Sequence, residues 1–126
     1  WQHKAIKFGD KTQLSYADVI SFHVPLTTDT KNYLNFEVFK GFKKKPYIIN
    51  TSRGEIINEE DLKFALEKDL IRGGALDVFK EEPYNGDLTK YTQLITTPHI
   101  ASTSKSSRMF MEKQSCENLI EYAEKK

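Results

Sequence analysis

A chain of 126 residues is one domain by length and long enough to bury about two-thirds of its unfolded surface. Its 19 basic residues are balanced by 18 acidic ones, which excludes the excess positive charge from which nucleic-acid binders draw their affinity. A single cysteine, Cys116, allows no internal disulfide, and the apolar runs are too short for a membrane span or a signal peptide, so a reducing, cytoplasmic setting is expected.

Residues 1–17 show no clear periodicity and read as an arm. Val19-Ile20-Ser21-Phe22-His23-Val24 is rich in β-branched and aromatic residues and is stopped by Pro25, the pattern of a strand. Asn35 suits the N-cap of a following helix, Leu34 and Phe39 can staple its first turn, and Phe36, Phe39 and Phe42 are expected to face the sheet. Pro46 closes that helix. The Lys43-Lys44-Lys45 run reads as cations at its C-terminal end rather than as a polyanion site.

Tyr47 to Thr51 is the second strand, almost continuously apolar. Asn58 caps a second helix whose acidic first turn, Glu59-Glu60-Asp61, complements the dipole, and whose buried stripe is Leu62, Ala65, Leu66 and Leu70. Gly73-Gly74 is expected to turn the chain into a third strand, Ala75 to Val78. A loop from Glu81 to Gln93, with a tight turn at Asn85-Gly86, leads to a short fourth strand, Leu94 to Thr97. A terminal helix from about Lys105 is expected to bury Met109, Cys116, Leu119, Ile120 and Ala123.

Alternating strands and helices with short connections imply an α/β fold: a partial Rossmann-like, doubly wound parallel sheet with helices on both faces. None of the six glycines forms the G-x-G-x-x-G turn that seats a dinucleotide pyrophosphate, and the chain starts at Trp1. Residues 18–126 therefore read as half of a doubly wound domain within a larger protein.

Three segments place titratable groups just past apolar strand-like runs: Ile49-Asn50-Thr51-Ser52-Arg53-Gly54, Gly74-Ala75-Leu76-Asp77-Val78-Phe79 with Glu82-Pro83 behind it, and Thr97-Pro98-His99-Ile100-Ala101. In open α/β sheets ligands bind beyond the carboxyl ends of the strands, so these groups can converge. Arg53 offers a permanently charged planar fork for a carboxylate, and an imidazole such as His99 can give or take a proton near neutral pH. Taken singly, His99 also reads as a satisfied loop histidine, Arg53 as a surface arginine, Glu82 as part of a solvated Lys80-Glu81-Glu82 run, and Asp77 as a partner of nearby backbone N–H groups.

With His23-Val24-Pro25-Leu26-Thr27, the three segments closely resemble the cofactor-binding domain of the D-isomer-specific 2-hydroxyacid dehydrogenases, which implies that residues 18–126 are the C-terminal half of an NAD-binding Rossmann domain. Four ordered motifs carry the resemblance, with 24 residues from Arg53 to Asp77 and five from Asp77 to Glu82. Glu82-Pro83-Tyr84-Asn85-Gly86 and Ser107-Arg108-Met109 are most similar to the phosphoglycerate dehydrogenase branch. The resemblance implies hydride transfer between NAD, or NADP, and a small 2-hydroxy or 2-oxo acid. It assigns His99 as acid and base, Glu82 as its partner, and Arg53 as the group binding the substrate carboxylate. Val24, Pro25, Thr30, Thr51, Ser52, Arg53, Asp77 and His99 would contact the cofactor, with Asp77 accepting from its carboxamide.

A homodimer is expected, the charge balance and short apolar runs argue against a nucleic-acid or membrane partner, and no metal is expected. A non-enzymatic, NAD-sensing interaction protein of co-repressor type could share the same residues. Independently of the resemblance, the unpaired outer edge of the first strand is expected to pair with a second copy, exchange segments with it, or be covered by the arm.

Overall fold

The computed structural model describes residues 11–125. Four parallel strands, β1 (Val19–Phe22), β2 (Tyr47–Asn50), β3 (Gly73–Leu76) and β4 (Leu94–Thr96), form one sheet in the order β1-β2-β3-β4. Helices α1 (Phe36–Gly41) and α2 (Glu59–Glu67) connect the first three strands, and α3 (Lys105–Glu124) ends the chain. The α/β class, the parallel pairing and the strand order are as expected from the sequence.

Local chemistry starts both crossover helices as anticipated. The Asn35 carboxamide accepts from the Glu37 and Val38 N–H groups at 3.1 and 3.3 Å, and Asn58 does the same for Glu60 and Asp61 at 3.1 and 3.2 Å. Phe39 of α1 and Leu62, Ala65 and Leu66 of α2 join Ile20, Phe22, Ile48 and Leu76 of the sheet in one core. Burying each such large side chain is worth about 1.5–3 kcal/mol. Phe36 departs from expectation, because it turns toward α2 and meets the Phe64 ring at 5.1 Å instead of the sheet. Lys44 and Lys45 pair with Asp18 and Asp69, so carboxylates answer the lysine run.

Strand β3 begins two residues before the expected start and ends two before the expected end, so Gly73 and Gly74 lie inside the sheet. A Cβ on Gly74 would sit 2.1 Å from the Ile48 carbonyl oxygen, and one on Gly73 2.2 Å from that of Gln93. The glycines admit close neighbouring backbones rather than making a turn. At Asn85-Gly86 the chain leads into a 3₁₀ helix, Asp87–Lys90, anchored by fully buried Leu88.

Among the described residues, helices pack on one face of the sheet. Two crossovers of the same hand that advance in the same direction place α1 and α2 on the same side. Val19, Tyr47 and Ile95 on the other face are 54%, 46% and 69% exposed. The expected burial of Met109, Cys116, Leu119, Ile120 and Ala123 does not occur, since α3 buries none of its residues. That helix is held by local interactions instead: the Ser104 hydroxyl accepts from Ser107 N–H at 3.2 Å, and Lys113–Glu117 and Glu121–Lys125 pair one turn apart.

The expected arm at 1–17 falls only partly within the described residues. Its segment Lys11–Tyr16 is a 3₁₀ helix, Leu14 packs against the core, and the Ser15 carbonyl accepts from Lys43 and Lys44 N–H. Among the described residues β1 pairs with β2 alone.

Candidate active site

Each strand end hands its chemistry to a loop braced by hydrogen bonds. At the end of β2, buried Asn50 donates through Nδ2 to the Arg53 carbonyl at 2.9 Å, while its Oδ1 accepts from the Ser52 N–H at 3.1 Å and hydroxyl at 2.9 Å. Arg53 is thereby held extended at the head of a 3₁₀ turn, Gly54–Ile56, with its guanidinium exposed and donating to the Ser52 carbonyl at 2.7 Å.

Past β3, Asp77 is 4% exposed. Its Oδ1 accepts from the Thr97 hydroxyl at 2.5 Å and the Ile100 N–H at 2.9 Å, and its Oδ2 accepts from the Ala101 N–H at 2.9 Å. The Asp77 carbonyl takes the His99 N–H at 2.8 Å. One aspartate thus clamps both sides of the turn in which His99 adopts a left-handed φ of 55°.

The His99 side chain meets Glu82, with Nδ1 2.7 Å from Oε2. Glu82 Oε1 accepts from the Phe79 N–H at 3.1 Å, so the carboxylate is fixed at both oxygens. An ionised carboxylate only accepts, so Nδ1 carries the proton of this bond and the neutral ring keeps Nε2 free to take another. The Glu82 carboxyl is held below its ordinary range by the His99 hydrogen bond first, then by the Phe79 N–H. Burial pushes the Asp77 carboxyl up, but the hydrogen bonds from Thr97, Ala101 and Ile100 and the nearby His99 outweigh it, and the net direction is down.

Both carboxyls titrate lower folded than unfolded, so the stability they contribute is complete above the ordinary carboxylate range, about pH 4, and is lost as pH falls through their folded values. Asp77→Asn is expected to destabilise the full-length protein by about 1–3 kcal/mol at neutral pH, because an NH₂ group would face the Ala101 or the Ile100 N–H. It is also expected to flatten the fall in the urea midpoint between neutral and acid pH. An unchanged midpoint and an unchanged acid slope would show that Asp77 does not brace the fold.

Arg53, Glu82 and His99 converge on a pocket of about 260 Å³, together with Leu26 and Val78. Through Leu26 and Arg53 it adjoins an open cleft of about 520 Å³ lined by His23, Val24, Pro25, Thr51 and Ser52. Two expected cofactor contacts line neither cavity. The Thr30 hydroxyl donates back to the Pro25 carbonyl at 2.7 Å and accepts from the Thr27 N–H at 2.7 Å, folding its own loop. Asp77 lies beneath the His99 turn.

Leu26 and Asn50 stand inside the motifs but were given no role in the site from the sequence. An apolar residue flanked by Pro25 and Thr27 at a strand end, and an amide inside an apolar run, were the available signals. A hollow of about 660 Å³ around Lys31, Glu55, Lys63 and Tyr84 holds self-contained ion pairs, Lys31–Glu55 and Lys63–Glu60, and no acid–base pair. Among the described residues no group of His, Cys, Asp and Glu could hold a metal, and no helix is long and apolar enough to cross a membrane.

A parallel sheet with a guanidinium and a carboxylate-held imidazole at its carboxyl edge defines an α/β ligand-binding domain equipped for acid–base chemistry. The profile of the family described as D-isomer specific 2-hydroxyacid dehydrogenase, NAD binding domain, matches residues 3–101. The chain is 42% identical over 111 residues to a glyoxylate reductase of Thermofilum pendens, covering 86% of this chain and 33% of that protein. It is 39% identical over 111 residues to the D-3-phosphoglycerate dehydrogenase of Bacillus subtilis, covering 87% of this chain and 21% of that protein. The structure of D-lactate dehydrogenase with NAD⁺ from Lactobacillus jensenii superposes with a TM-score of 0.77 at 30% identity, covering 94% of this chain and 40% of that one. The chain belongs to the D-isomer-specific 2-hydroxyacid dehydrogenase family, as its NAD-binding domain. It spans about a third or less of the length of these curated relatives.

The residues present fit one part of such a cofactor. The cleft beside Arg53 combines apolar Val24, Pro25 and Leu26 with the hydroxyls of Thr51 and Ser52, a surface suited to a ring and a ribose. A glycine turn for the pyrophosphate is not among the 126 residues.

Proposed function

We propose that the full-length protein containing this chain interconverts a small 2-hydroxy acid and its 2-oxo acid. The observation that carries the reading is the 2.7 Å His99–Glu82 bond opening on the pocket that Arg53 also lines. In the oxidative direction His99 Nε2 takes the hydroxyl proton as the C2–H bond breaks and the carbonyl forms; in reduction it returns that proton to the carbonyl oxygen. Glu82 holds the ring by Nδ1 and balances the imidazolium that forms. Arg53 pairs with the substrate carboxylate and draws electron density from the reacting carbonyl. NAD, or NADP, supplies the hydride acceptor and donor when bound. Val24, Pro25, Thr51, Ser52 and Leu26 would hold its nicotinamide end, with Thr30 acting through its loop and Asp77 through the His99 turn and its remaining lone pairs.

The relatives' names give glyoxylate and the phosphorylated three-carbon acids as first substrates to try. Full-length protein mixed with NADH is expected to consume it with glyoxylate, hydroxypyruvate or 3-phosphohydroxypyruvate. Tight NADH binding without turnover of any 2-oxo acid would end this reading in favour of a cofactor-sensing interaction protein. Glu82→Gln is expected to move the pH profile of kcat/KM more than its maximum, since it removes a charge next to the proton-transfer group and keeps a hydrogen-bond acceptor. The isolated 126 residues are expected to bind NAD only weakly, and micromolar affinity by calorimetry would reveal a phosphate site not identified in the chain. A homodimer is proposed for the full-length protein, to be checked by light scattering.

A further inference from the structure

We infer that Asn50 is a positioning residue for Arg53. It is 1% exposed and sits in a strand whose other core-facing residue, Ile48, is apolar. A buried amide costs stability unless its hydrogen bonds are made, and an aliphatic side chain of similar volume would serve the core as well. All three hydrogen bonds of the Asn50 side chain go to Ser52 and Arg53, two to the first and one to the second. The amide therefore sets the path of the backbone from which the arginine side chain starts.

Among the described residues nothing beyond that turn holds the guanidinium. Among the described residues no carboxylate pairs with Arg53, and its one side-chain hydrogen bond goes to the Ser52 carbonyl inside the same turn. A long, unpaired side chain keeps its reach only if its backbone is fixed. The Asn50 backbone extends the bracing, since its carbonyl accepts from the Asp77 N–H at 2.9 Å, and Asp77 clamps the His99 turn. One residue at the end of β2 thus braces the anion-binding arm through its side chain and meets, through its backbone, the segment that leads to the proton-transfer group.

This rests on the reading of Arg53 as the substrate-carboxylate site, and a double-mutant cycle in the full-length enzyme separates the two. Asn50→Leu, Arg53→Ala and the double variant are assayed for kcat and for KM with glyoxylate, or with whichever 2-oxo acid the enzyme turns over best. NADH affinity and thermal midpoint are measured alongside. Asn50→Leu is expected to lower kcat/KM for the 2-oxo acid about tenfold when Arg53 is present and less than about twofold when it is absent, with NADH affinity little changed. Equal factors in both backgrounds would overturn the inference and leave Arg53 in place. Wild-type kinetics for Arg53→Ala would overturn the underlying reading and the inference with it. If Asn50→Leu does not fold, Asn50→Ser, which keeps one polar contact, carries the same cycle with the same criterion.

Discussion

His99→Ala is expected to lower turnover of a 2-oxo acid by about 10²–10⁴-fold, the usual contribution of a positioned acid–base group. The ring touches Glu82 and the pocket rather than the core, so its loss is expected to leave the thermal midpoint within a few degrees. Arg53→Ala is expected to cost about 10²-fold or more in kcat/KM, because the anionic end of the substrate then lacks the charge that orients it. NADH affinity is expected to fall far less than turnover in both variants. Steady-state kinetics with full-length protein decides the matter: wild-type-like rates for His99→Ala would remove it from the chemistry, and with it the assignment of Glu82.

The second large effect is expected at a residue with no side chain. A methyl group on Gly54 would lie 2.0 and 2.2 Å from the carbonyl carbon and oxygen of Phe79 and 2.5 Å from the amide nitrogen of Lys80. Those are backbone atoms, which cannot swing aside as a long side chain would. Gly54→Ala is therefore expected to destabilise the protein by about 3 kcal/mol or more, at the upper end of what overpacking costs. It should also cut activity beyond its effect on folding. The contact at Gly54 sets the distance between the Arg53 turn and the segment that carries Phe79, whose N–H holds Glu82. Urea denaturation and kcat/KM below the unfolding transition test both parts. A variant with wild-type midpoint and activity would show that the two loops have room to separate.

Helix starts were legible because they depend on residues three or four apart. Asn35 and Asn58 cap their helices through their own carboxamides, and no distant partner is required. The core stripe of α2 was legible for a similar reason, since Leu62, Ala65 and Leu66 share one helix face whatever they pack against. Strand order also followed, because strands joined by short helical crossovers have few ways to lie side by side. Arg53, Glu82 and His99 were singled out as candidates by the ordered motifs, and all three line one pocket. Their convergence was expected because each follows a strand in the same parallel sheet.

What tertiary structure decided was everything that depends on who stands opposite. The same Gly-Gly pair would serve a turn or a close approach of strands, and only the carbonyls of Ile48 and Gln93 pressing on it select the second. Apolar residues along α3 suggested a buried face, but they are spread around the helix, and burial is a property of two surfaces, of which none of the described residues supplies the other. A buried carboxylate demands partners without naming them, and Asp77 found its partners in the Thr97 to Ala101 turn. Asn50 stands at the head of the motif that carries Arg53, but the motif does not say what its amide does, because its three hydrogen bonds to Ser52 and Arg53 exist only once the turn has formed. Short-range patterns thus determined most of the elements, their order and the candidate groups of the site. Contacts between segments far apart in the chain decided which of those groups line a common pocket and which hold the others in place, because burial and hydrogen-bond pairing are properties of the folded neighbourhood.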